Sequence, residues 1–84
     1  MAWHWHEGTF TVQHAGSPLG ETLAAVEQTM RSTGARNVTI MNESTHYTIY
    51  YEFEADDDEA PETIAIAGRL ILRAALRING VAVS

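Results

Sequence analysis

The chain reads as an α+β domain, an antiparallel sheet of two hairpins with two helices packed on one face, in the order ββαββα. Three observations predict it. Residues 3–12 and 38–54 alternate with period two on either side of one break each and are rich in β-branched and aromatic side chains. Residues 17–34 and 61–80 carry apolar side chains at helical spacing. Glycine, proline and acidic residues punctuate these stretches where turns and caps are expected.

The first hairpin follows from a conflict of faces. Trp3 and Trp5 lie on odd positions, whereas Phe10 and Val12 lie on even ones. A two-residue turn at Glu7-Gly8 removes the conflict. Trp5 then opposes Phe10 and Trp3 opposes Val12 in an aromatic core. His4 and His6 fall together on the opposite face, against Thr11 and Thr9.

Ser17-Pro18 supplies a hydroxyl N-cap followed by proline at the first helical position. Leu19, Leu23, Val26 and Met30 then draw one apolar stripe, Glu27 and Arg31 are spaced to pair, and Gly34 stands where a left-handed cap ends a helix. In the second hairpin, a turn at Glu43-Ser44 pairs Ile40 with Tyr47 and Val38 with Ile49 toward the core. Thr39, Met41, His46, Thr48, Tyr50, Glu52 and Glu54 decorate the other face.

The last helix opens after Asp56-Asp57-Asp58-Glu59 and Pro61. Acidic residues at its start and Arg73 and Arg77 near its end complement the helix dipole. Ile64, Ala67, Gly68, Ile71, Ala75 and Ile78 make its core face. Arg69, Arg73 and Arg77 make an opposite stripe, flanked by Leu72 and Leu76 on one edge and by Ile66 and Leu70 on the other. So apolar a helix cannot hide every side chain on one small sheet, which points to a second chain. A short echo, Glu21-Thr22-Leu23-Ala24 against Glu62-Thr63-Ile64-Ala65, is compatible with a duplicated ββα unit. If residues 3–12 are instead one bulged strand, or Val81-Ala82-Val83 adds a strand, a ferredoxin-like βαββαβ order emerges.

Composition bounds the function. Eighty-four residues make one domain, 1–84, that buries only about 60–65% of its unfolded surface. There is no cysteine, so disulfides and thiolate metal sites are excluded, and a reducing cytoplasm is expected. No apolar run suits a signal peptide or a membrane span. The net charge is −6 and all five basic residues are arginine. That balance opposes direct nucleic-acid binding and suits a partner with a basic surface.

Candidate chemistry is sparse. His4 and His6, two apart on a strand, project to one side and can share a transition metal, with Glu7 or His46 as a further ligand. Tyr50 beside Glu52 and His46 is a possible acid–base cluster. No phosphate loop, zinc finger, helix-turn-helix or nucleophile elbow is present. The expectation is therefore a non-enzymatic acidic interaction module without a cofactor, an inhibitor or accessory protein of immunity or phage anti-defence type, acting as a homodimer. Its partner-binding residues are Asp56, Asp57, Asp58, Glu59, Glu52, Glu54, Tyr50, Arg69, Leu72, Arg73 and Leu76. Two alternatives remain: a ferredoxin-like ligand-binding domain or enzyme using the histidine face, and a structural subunit of a larger assembly.

Overall fold

Residues 2–10 form one uninterrupted strand, β1 (Ala2–Phe10), rather than two arms of a hairpin. In the computed structural model, which describes residues 1–12, 19–43 and 46–82, this strand is followed by α1 (Leu19–Ser32), β2 (Arg36–Asn42), β3 (Tyr47–Ala55) and α2 (Pro61–Ile78). The sheet has three antiparallel strands in the order β1-β3-β2. The fold class is α+β, as expected, but the order is βαββα. A duplicated ββα unit is absent among the described residues. Of the ferredoxin-like alternative, they contain the first five elements, and Val81 and Ala82 form no closing strand. Val83 lies outside the described residues, as do Ser17, Pro18 and Ser44 and the cap and turn expected of them.

The unbroken β1 reverses the faces assigned to its residues. Its alternation puts Trp3, Trp5, Glu7 and Thr9 on one side and His4, His6, Gly8 and Phe10 on the other. Phe10 is buried and Trp5 is 62% exposed, so the histidine side is the core side. Gly8 is no turn residue. A Cβ built there would lie 2.8 Å from Leu72 Cδ2, so the missing side chain gives α2 room to approach. Gly68 does the same from the helix, where a Cβ would stand 2.8 Å from His6 Cγ and Phe53 Cε1.

This close approach also sets the rotation of α2. Gly68, Leu72, Ala75 and Leu76 are buried, with Ile64 and Ile71 partly so. Leu72 and Leu76, expected on an outer flank, are thus core residues. Ile78, expected in the core, is 70% exposed. Val26 and Met30 of α1 are completely buried, as their spacing predicts. They meet Ile49, Tyr51 and Phe53 of the central strand in one cluster. The hydroxyl of Tyr51 is tied into this core by donating to the Gly68 carbonyl.

Both helices stop on glycine in the left-handed region. At the end of α1, Gly34 has φ 103°, the Gly34 amide donates to Arg31 O and the Ala35 amide to Met30 O. At the end of α2, Gly80 has φ 71°, with matching bonds to Arg77 O and, from Val81, to Leu76 O. These are Schellman caps, and they satisfy carbonyls that the helix itself cannot.

The β2–β3 pairing is offset from the expected register. Ile40 opposes Ile49 and Asn42 opposes Tyr47, while Glu43 donates its amide to His46 O. The inward set Val38, Ile40, Ile49, Tyr51 and Phe53 is nonetheless as expected, because a shift of two preserves the faces. A bulge between Arg36 and Thr39 interrupts the ladder, and Asn37 within it has φ 53°.

Candidate interaction surface

Both helices pack on the inner face of the sheet, which leaves the outer face uncovered among the described residues. Cross-strand pairing places its residues in rows: Trp3 against Glu54, Trp5 against Glu52 and Glu7 against Tyr50. On the other side of β3, Arg36 opposes Glu52, Thr39 opposes Tyr50 and Met41 opposes Thr48. Two tryptophans, a tyrosine and a methionine therefore share a surface with three carboxylates. Trp5 and Met41 are the most exposed of the apolar members.

Part of this surface is rigidly built. Glu52 is nearly buried, accepts a hydrogen bond from Asn37 Nδ2, and lies 3.4 Å from Arg36 Nε. The Arg36 guanidinium in turn stands 3.6 Å over the Trp3 ring centroid. The donor, Asn37, stands within the bulge with a left-handed backbone. Asparagine tolerates that backbone better than most residues. Arg36 and Asn37 were not anticipated as partners of Glu52. Neither apolar alternation nor spacing signals a bulge, although an asparagine at the head of a strand is a weak hint.

At the other end of the face, Tyr50 donates to Glu7 Oε1 at 3.3 Å. The Glu7 carboxylate raises the Tyr50 pKa, with smaller contributions from burial, the hydrogen bond itself and Glu43.

The acidic run lies where β3 ends and β1 begins. Asp56, Asp57, Asp58 and Glu59 are all exposed, and the Glu59 amide closes a turn on Asp56 O. Ala2 pairs with Ala55, so this acidic turn continues the tryptophan end of the sheet face. Arg69 and Arg73 are exposed on α2, and no ion pair among the described residues links them to the acidic run. The exposed apolar ridge of α2 is formed by Ile66, Leu70 and Ile78 in place of Leu72 and Leu76.

His4 and His6 do share a face, but it is the one beneath α2. His4 packs against the Phe53 ring at 6.3 Å and His6 against Tyr51 at 5.4 Å. Burial, and then the Arg69 charge, lower the His6 pKa from its usual 6.5. Glu7 points to the opposite side of the strand, so it does not join them as the third ligand. No group of three potential metal ligands occurs among the described residues. His4 Nε2 is buried without a partner.

No family model, curated protein or solved structure matches this chain. No helix among the described residues is long and apolar enough to cross a membrane.

Proposed function

We propose that the protein is a non-enzymatic interaction module of the cytoplasm that docks a basic protein partner against its open sheet face. The observation that carries this reading is Trp5, 62% exposed on β1, opposite Glu52 and on the same face as Glu7. Tryptophan on a surface is enriched at binding hot spots, because a large ring gains much when a partner excludes water from it. Surrounding carboxylates orient a basic partner and accelerate its approach. The acidic turn Asp56–Glu59 extends the negative field along the same edge. An inhibitor or accessory role, of the kind filled by immunity or anti-defence proteins, fits this size and charge.

Self-association belongs to the same reading. Ile66 and Leu70 stand 51% and 59% exposed on one side of α2, an apolar ridge that a second copy would cover.

Native mass spectrometry of the untagged protein from its own host tests both parts. The expected result is a complex with a protein of positive net charge that dissociates as salt is raised and is absent for Trp5→Ala. A dimer should persist in Trp5→Ala and be lost in Leu70→Glu. A partner retained at full occupancy by Trp5→Ala would overturn the sheet-face reading.

A further inference from the structure

The two edges of the sheet are unequal. Edge strand β2 carries a bulge at its start, a device that turns a strand away from further pairing. Edge strand β1 runs nine residues with no interruption, and nothing among the described residues pairs with its outer side. A groove of about 340 Å³ opens between that edge and α2. Gly8, Phe10, Leu72 and Leu76 make its apolar wall, and Arg69 and Arg73 overhang it. Glu7 also borders the groove, but its carboxylate takes the Tyr50 hydroxyl on the outer face. In a chain of net charge −6, two exposed arginines without an ion-pair partner among the described residues mark a local reversal of sign.

We propose that this groove accepts an extended acidic segment of another protein, which adds to the sheet as a fourth strand beside β1. The strand edge offers unpaired backbone donors and acceptors, which suit a peptide backbone in extended form. The side chains on one face of such a segment would meet α2, its apolar ones entering the wall and its carboxylates reaching Arg69 and Arg73. Charge selects this occupant over a second copy of the same strand. Two β1 edges related by a twofold axis would bring two arginine pairs together, and like charges across an interface are costly. A nucleic acid could use the arginines but not the strand edge, and the remaining charge repels it.

The test is fluorescence anisotropy with two labelled peptides, one repeating Val-Thr-Glu-Thr and one repeating Val-Thr-Lys-Thr so that valine and the charged residue share a face, and a thymidine oligonucleotide. The acidic peptide is expected to bind, the basic one to bind at least about tenfold more weakly, and the oligonucleotide not to compete. An Arg69→Gln/Arg73→Gln variant should lose about tenfold in affinity for the acidic peptide with its thermal midpoint unchanged, since both side chains are exposed. Amide exchange in β1 should slow when peptide binds. Equal binding of the two peptides, unprotected β1 amides in the complex, or preference for the oligonucleotide each overturns the proposal. So does protection of β1 in a peptide-free dimer, which would assign the edge to a second copy. None of these results bears on Trp5 and the sheet face.

Discussion

Tyr51 on the central strand donates its phenol hydrogen to the carbonyl of Gly68 in the middle of α2. The bond joins a fully buried tyrosine to a glycine whose absent side chain lets the helix reach the sheet. Burial pushes the Tyr51 pKa far up, which keeps this hydroxyl protonated and donating at neutral pH.

Removing that hydroxyl should therefore be felt. Tyr51→Phe is expected to destabilise the protein by about 1 kcal/mol, the usual net worth of a buried hydrogen bond. Tyr50→Phe on the adjacent, more exposed position should change stability by less than about 0.5 kcal/mol. Urea midpoints of the two variants check the contrast.

Two helical glycines should respond to alanine with opposite sign. Gly20 in α1 has nothing within 4 Å of its built Cβ, so Gly20→Ala should stabilise by about 0.5–1 kcal/mol through helix propensity alone. At Gly68 the Cβ meets the His6 and Phe53 rings at 2.8 Å, and Gly68→Ala should cost about 1–3 kcal/mol through overpacking. Thermal unfolding of both variants settles the signs.

Protonation of His6 should loosen the same contact. Its folded pKa lies below the unfolded value of 6.5, first through burial and second through Arg69. Between those two values the unfolded chain binds more protons than the folded one. The stabilisation is thus fully present above about pH 6.5 and is lost as pH falls through that value toward the folded pKa. Urea midpoints should drop over this range in the native protein, and the drop should be smaller in His6→Gln.

The bulge makes a separate demand on Asn37. Asn37→Gly keeps access to its positive φ of 53° but loses the bond to Glu52, whereas Asn37→Ala loses both. Alanine should therefore be the more destabilising of the two, by about 1 kcal/mol. Equal stabilities would mean that the backbone geometry carries no strain.

Much of this was legible beforehand. Val26 and Met30 of α1, the Gly34 cap, and the inward set of the second hairpin follow from periodicity and turn chemistry. The first strand did not. Trp3 and Trp5 outweigh Phe10 in any hydrophobic count, so periodicity alone puts the tryptophans in the core and a turn at Glu7-Gly8. The decisive term was tertiary: α2 needs a shallow strip of sheet beneath it, and His6 and Gly8 provide one. The rotation of α2 followed from that same contact. A helix apolar on several sides does not reveal which line of residues is buried, so Leu72 and Leu76 exchanged roles with Ile78. The candidate surface was half-visible. Glu52, Glu54, Tyr50 and the acidic run stand on exposed or outer faces as expected, while the tryptophans that complete the surface were placed on the wrong side.

The most direct test of the central claim is photo-crosslinking in the native host from a benzophenone residue at position 41, which keeps Trp5 in place, compared with one at position 27. Met41 is exposed on the outer sheet face, and Glu27 lies on α1, away from that face. An adduct with a basic protein at position 41 and none at position 27 is the predicted outcome. No adduct at position 41, or equal adducts at both, would contradict docking through the open face of the sheet.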